Sequence, residues 1–369
     1  MNTSAIEFSG KNINAHSIMG VNDTSIDAYG KQKVSLDYSL FSSTFAYTID
    51  PMKWNHVSGD GVSLVDYTME IDNSLISSRQ HMKYQANRGM LFSCSAVCPN
   101  SSVGIRRWGL FNSECGVYFE LNEGVLYAVI RNYLGGVTTE TKEVITLKHP
   151  IDFEMGNLYD IQFQWRGFGN FRFFINLEEV HYIDYVGKHN KLSISNPSLP
   201  ITLFAQNSKL YIGSVDVSTE NGKKPTLKYS NIHNTADKLI STNTPMLSLR
   251  CKDTYKGRLN TTDLSMLQAV FSSDKKATFE IYFTRDLTAF TGAVWTDVDD
   301  TSYMMDTSAT AFNITKGVKV AFTQLNVAGT QYIDTPAGVE FVCVAGDILV
   351  VVGTASNAYS RAQLIFGEE

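Results

Sequence analysis

Two acidic clusters and four tryptophans are the side chains of this 369-residue sequence best suited to chemistry. Asp297, Asp299 and Asp300, in WTDVDD, could offer oxygens to a calcium ion. No EF-hand spacing and no further ligands follow, so they are expected to face water, and no metal site is expected. Glu178-Glu179 invites comparison with half of a glycosidase pair. Adjacent strand residues point to opposite faces, so these two cannot flank one bond and suit a solvated turn. Gly167-Phe168-Gly169 looks like a piece of a phosphate loop, but it lies between two strands, where no helix N-terminus can hold an anion. A hairpin turn is the expectation there. The seven histidines are scattered, with no GxSxG, P-loop, dinucleotide fingerprint or HExxH. No catalytic residue, cofactor-binding residue or cofactor is therefore expected.

The tryptophans raise the question of sugar stacking. Trp165 follows Ile161 and Phe163 on one strand face, which points to core packing. Trp54 in MKWNH and Trp108 beside Arg106-Arg107 are expected at the surface, as candidate contacts to a glycan or a partner. His181 reads as a satisfied core or cross-strand histidine, with no charge partner identifiable in sequence. The five cysteines, Cys94, Cys98, Cys115, Cys251 and Cys343, show neither CxxC nor zinc spacing. They read as small buried hydrophobes.

The elements that would position these residues are strands. Val117, Phe119 and Leu121 alternate with Tyr118 and Glu120, and Asn122-Glu123-Gly124 turns the chain into Val125, Tyr127 and Val129. Tyr159, Ile161, Phe163 and Trp165 alternate, and after the RGFGN turn Phe171, Phe173 and Ile175 run back. Phe279, Ile281 and Phe283 repeat the style, as do Val339, Phe341 and Cys343, then Ile348, Val350 and Val352. No window of helical length keeps a 3.6-residue apolar repeat, and a short helical turn is allowed only near Thr235 to Leu239. An all-β fold follows, with Phe119, Phe163, Trp165, Phe173 and Ile175 between two sheets.

Residues 1–55 read as an N-terminal arm, 56–217 as one β-sandwich, 218–245 as a linker and 246–369 as a second β-sandwich. In the arm, Ile6, Phe8 and Ile13 have no obvious hairpin partner, and Phe41, Phe45 and Tyr47 offer an extended strand. All six are expected to serve assembly, Phe41, Phe45 and Tyr47 by adding a strand to a neighbour. The alternative is that the arm covers its own sandwich.

Composition bounds the function. Hydrophobic residues make up 43% and charged residues 18%, enough apolar material for full cores. The net charge of −6, without a basic run, argues against nucleic acid. The start, MNTSAIEFSG, has neither basic nor apolar leader regions, and the longest aliphatic run, Ile348 to Val352, is far short of the roughly 20 residues that span a bilayer. Synthesis in the cytosol, with no membrane contact, is the expectation.

Several stretches resemble a widespread group of tailed-bacteriophage virion structural proteins. They are SSRQHMKYQANRGMLFSCSAVC (Ser77 to Cys98), RRWGLFNSECGVYFEL (Arg106 to Leu121) and LYDIQFQWRGFGNFRFFINLEEVHY (Leu158 to Tyr182), with SNPSLPITL from Ser195 and PMLSLRCK from Pro245. The shared elements fall on Arg79 and Tyr84, Gly116 to Glu120, Gln164 to Gly169, His181 and Pro197 to Pro200, and Arg166 departs from an aliphatic position. The resemblance implies a lectin-like, concanavalin-type jelly roll followed by a second β-sandwich. It further implies a non-enzymatic virion component on head, neck or tail, acting as an accessory, fibre or decoration protein. Its partners would be other virion proteins (capsid, portal, neck or tail) and copies of itself. The rival readings are a carbohydrate-binding adhesin that recognises a host surface glycan and, third, a glycan-degrading enzyme.

Overall fold

The computed structural model describes residues 37–59, 61–85, 88–148, 158–166, 169–185, 193–220, 229–334 and 342–368. The chain splits into two compact units, Met1–Ser78 with Met82–Lys224, and Arg79–His81 with Pro225–Glu369. Among the described residues both units are built of antiparallel strands, and two 3-10 turns, Leu287–Ala289 and Ile314–Lys316, interrupt the second. No described helix is long and apolar enough to cross a membrane.

In the first unit the strands are β1 (Asp37–Thr44), β2 (Trp54–Ser58), β3 (Gly61–Val65), β4 (Thr68–Asp72), β5 (Leu75–Lys83, of which Arg79–His81 count with the second unit), β6 (Met90–Val97), β7 (Ile105–Phe111), β8 (Gly116–Asn122), β9 (Val125–Leu134), β10 (Val137–Val144), β11 (Tyr159–Arg166), β12 (Asn170–Ile175), β13 (Glu178–Asp184), β14 (Ser198–Gln206) and β15 (Lys209–Glu220). One sheet runs β10-β9-β8-β7-β14-β5-β2, and the other runs β13-β12-β11-β6-β15-β4-β3 with β1 beside β15. The two pack face to face as a concanavalin-like jelly-roll β-sandwich.

Period-two alternation decides what lies between the sheets. Phe119 on β8 meets Phe173 on β12 edge to face at 5.0 Å, and Phe92 on β6 stacks on Phe163 at 4.9 Å. Phe119, Phe163, Trp165, Phe173 and Ile175 are all buried, as their spacing predicts. Two-residue turns set the local register. Glu123 and Gly124 both take positive φ, and Asn122 pairs with Val125, the mirror-image turn that suits strand twist. All five cysteines are buried free thiols, and burial pushes Cys98 and Cys343 up to about 12, leaving them protonated at neutral pH.

Among the described residues the second unit consists of two six-stranded sheets with two short two-stranded ribbons. Phe271 and Phe279, one from each large sheet, stack at 4.8 Å. The stretch read as a linker is in fact structured where described. Tyr229–Asn234 and Lys238–Ile240 both pair with Ala358–Glu368, so Lys238–Ile240 is a strand where a helical turn was allowed. These pairings join residues more than a hundred positions apart, which local pattern cannot show.

His233 in this unit accepts or donates one bond, with Tyr303 Oη at 2.8 Å from its Nε2, and its ring stacks on Phe366 at 5.4 Å. Burial holds its pKa below the ordinary 6.5. The unfolded chain therefore takes up the proton more readily than the folded one. The stability from neutral His233 is present above pH 6.5 and is lost as pH falls through the depressed folded value. Thermal midpoints measured from pH 7 down to pH 5 are expected to fall, and to fall less in His233→Phe. An equal fall in both would remove His233 from the account.

Candidate functional site

The outer face of the seven-stranded sheet carries a cluster of polar and aromatic side chains. Its residues are set by register. Phe204, Arg107, Glu120 and Tyr127 lie in one row across β14, β7, β8 and β9. Gly109, Tyr118, Val129 and Lys142 form the next, and Phe111, Gly116, Arg131 and Glu140 the third. Glycine at 109 lets Tyr118 cross over it, since a Cβ there would stand 2.7 Å from the Cβ of Tyr118.

Aromatic rings form the floor. Phe111 and Tyr118 are buried on this outer face with Val129, at 4.5 Å between rings, and Tyr127 and Phe204 pack half-buried against them. Cations roof the rings. Lys142 Nζ lies 3.9 Å from the Tyr127 ring centre, and the Arg107 guanidinium lies 5.4 Å from that of Phe204. Arg131 lies 5.2 Å from that of Tyr118.

Carboxylates tie the roof together. Arg107 Nε donates to Glu120 Oε2 at 2.7 Å, Lys142 Nζ donates to Glu120 Oε1, and Asn122 Nδ2 reaches the same oxygen at 3.4 Å. Glu140 Oε1 accepts from Tyr118 Oη at 2.9 Å and from Arg131 Nε at 2.8 Å. Burial by itself would raise the Glu120 pKa, but Lys142 and Arg107 together hold it below the usual carboxylate range. Burial pushes the Tyr118 phenol up, so it keeps the proton it gives to Glu140.

Chemically this is a surface of fixed acceptors and donors on an aromatic floor. Glu120 accepts hydrogen bonds and holds no proton to donate at neutral pH. Glu140 sits four residues further along the sheet and two strands away by register. Standard spacings put their backbones about 16 Å apart.

The residues singled out from sequence lie elsewhere. Trp54 is 4% exposed and Trp108 0%, so the expectation of surface aromatics is corrected. Trp108 shares inward parity with Leu110 and with Arg106, whose guanidinium is buried too and donates to Lys209 O at 2.6 Å and Val103 O at 3.0 Å. The neighbouring arginine that suggested a surface is thus itself a core residue, held by backbone carbonyls. Trp54 donates from Nε1 to Ser43 Oγ at 2.9 Å and packs edge-on to Phe41 at 5.3 Å.

Phe41 and Phe45 are likewise buried, and β1 pairs with β15 of its own sheet from Asp37↔Glu220 to Thr44↔Ser214. Their expected service as a strand for a neighbour is corrected, since they complete their own sandwich. Tyr47 stands 89% exposed just beyond β1. Ile6, Phe8 and Ile13 fall outside the described residues, as do Gly167 and Phe168.

Glu178 and Glu179 face water, paired with Lys148 at 3.1 Å and Arg172 at 3.4 Å. Asp297 is paired with Lys252 at 3.0 Å. His181 does have a charge partner, Glu143, at 3.0 Å from its Nε2 and 38 residues away on β10. Sequence missed Arg107, Glu120, Arg131, Glu140 and Lys142. Two short hairpins, β8-β9 and β9-β10, bring most of them together, so counting outward parity through both turns would have found them.

No family model matches the chain, and no curated protein matches it. Solved structures do. A Bacteroides ovatus mixed-linkage glucan GH16 protein, bound to a G4G4G3G product, matches at 12% identity and a TM-score of 0.38 over 48% of this chain and 99% of its own. The endo-β-1,3-glucanase of Pyrococcus furiosus matches at 9% identity and 0.40, over 51% of this chain and 97% of its own. β-Agarase A of Zobellia galactanivorans matches at 10% identity and 0.39, over 49% and 92%. The expectation of a non-enzymatic virion structural component is not borne out: the structures matched are a GH16 protein bound to a glucan product, a glucanase and an agarase, and no virion protein is among them. At these identities the likeness is one of fold, a jelly-roll β-sandwich over about half of this chain.

Proposed function

We propose that the first unit recognises a polysaccharide on the outer face of its seven-stranded sheet. The observation that carries this reading is the roofed aromatic floor. Tyr127 and Phe204 are half-buried, and Arg107, Lys142 and Glu120 are held beside them by mutual pairing. Sugar rings present apolar faces to aromatic side chains and hydroxyls to fixed charged groups, and both partners stand here within one row of the sheet. Charged donors and acceptors form the stronger hydrogen bonds, and pre-paired side chains lose little freedom on binding. Because the cations and carboxylates largely neutralise each other, the face suits a neutral chain.

Affinity electrophoresis through gels containing laminarin, mixed-linkage β-glucan or agarose tests this. Retardation by at least one polysaccharide is expected, with about tenfold weaker binding in Arg107→Ala, the loss of one charged hydrogen bond to a ligand. Reducing ends released from the same polysaccharide are measured in parallel, which reads whether a bound chain is also cleaved. Unretarded migration in every gel would end the reading.

A further inference from the structure

Strand β10 ends the seven-stranded sheet, and its register against β9 runs unbroken from Val137↔Leu134 to Val144↔Tyr127. Gly135 and Gly136, at φ 61° and 85°, form a two-residue turn that makes Leu134 and Val137 a hydrogen-bonded pair. From there the pattern alternates. Val137, Thr139, Thr141 and Glu143 turn their backbone groups to β9, while Thr138, Glu140, Lys142 and Val144 turn theirs outward. Other ends of the two sheets are short or interrupted. β2 and β3 have five residues each, β2 carries a bulge between His56 and Ser58, and the pairing of β13 shifts register at Phe173/Phe174. Such devices block edge pairing, and β10, eight residues long and largely exposed, has none of them.

We infer that β10 is the dimerisation edge of this protein, pairing antiparallel with β10 of a second copy, centred on Thr141. The argument is charge complementarity. A sheet continuous across a two-fold axis must pair outward residues with outward residues. Centred on Thr141, the register sets Glu140 of each copy opposite Lys142 of the other, twice. Moved one residue either way, it sets Glu140 against Glu140 or Lys142 against Lys142. Charges on an edge normally repel a foreign strand; here they admit a copy of the same strand in one register. Glu140 and Lys142 are each about one-third exposed and keep their own-chain partners Arg131 and Glu120, so the contact extends an existing network. The inference rests on strand geometry and stands independently of the carbohydrate reading.

Light scattering during size-exclusion chromatography of the full chain, without carbohydrate, over a dilution series, tests it. The wild type is expected at twice the chain mass. Thr138→Pro removes only an outward N–H and keeps every bond to β9, and it is expected to be monomeric. Glu140→Lys and Lys142→Glu are each expected to be monomeric, and the double exchange to dimerise again. Since Glu140→Lys also loses the Arg131 pair, circular dichroism checks its fold, and Thr138→Pro carries the test if that fold is lost. A monomeric wild type, or a dimeric Thr138→Pro, overturns the inference. A double exchange that folds but stays monomeric overturns the register.

Discussion

Phe163→Ala is expected to cost about 3–5 kcal/mol of unfolding free energy, the usual loss for a fully buried phenylalanine. Phe163 is 0% exposed and touches rings on both neighbouring strands, Phe92 at 4.9 Å and Phe173 at 6.0 Å. Phe173 in turn meets Phe119 from the facing sheet. Removing the ring therefore opens a cavity where the two sheets meet, and strands paired on both sides cannot collapse to fill it. Denaturant unfolding of the full chain measures the loss. A value below about 1 kcal/mol would mean that the sheets do not pack through this residue.

Asp347→Ala is the second large effect, and it acts through charge. Asp347 is 0% exposed and belongs to the second unit. Its carboxylate accepts from Arg79, from Arg285 Nε at 2.6 Å and from the Val344 N–H at 2.9 Å. Arg79, counted in the same unit, is 3% exposed, and burial lowers its pKa. Burial also raises the pKa of Asp347 against the pull of both arginines. Deleting the carboxylate removes the charge that Asp347 sets against the buried Arg79 guanidinium, at a cost of about 3–5 kcal/mol. The double variant Arg79→Met/Asp347→Leu is expected to recover much of that loss, because an apolar pair of similar volume needs no desolvation of charge. A double variant as unstable as Asp347→Ala alone would show that the pair contributes more than it costs to bury.

The fold class was legible because its signal is local. Alternation in β8, β11 and β12 gives the inward set Phe119, Phe163, Trp165, Phe173 and Ile175, and all five are buried. What failed needed partners far away in sequence. Trp108 looked exposed beside two arginines, yet Arg106 reaches the Lys209 carbonyl 103 residues on and seals its end of the core. Phe41 and Phe45 read as a strand offered to a neighbour because their own partner strand, β15, lies far downstream, with Phe41 opposite Val217. The outer-face cluster is an intermediate case. Its β8, β9 and β10 members are joined by two-residue turns whose register is readable, while Phe204 arrives from β14 and is not. Function was least legible. A resemblance to virion proteins put carbohydrate recognition second, and the two tryptophans offered for a glycan, Trp54 and Trp108, are buried, so the charge and aromatics of the outer row emerge only once the strands are placed.

The most direct test of the carbohydrate reading compares two faces of one sandwich. Tyr127→Ala removes an aromatic floor residue of the seven-stranded sheet, and Gln162→Ala alters the outer face of the other sheet, where Gln162 bonds Asp160 at 2.8 Å. Both are run in the gel whose polysaccharide retards the wild type. Retardation at least tenfold weaker in Tyr127→Ala and unchanged in Gln162→Ala is the result predicted. Full retardation of Tyr127→Ala, or loss in Gln162→Ala alone, would contradict it.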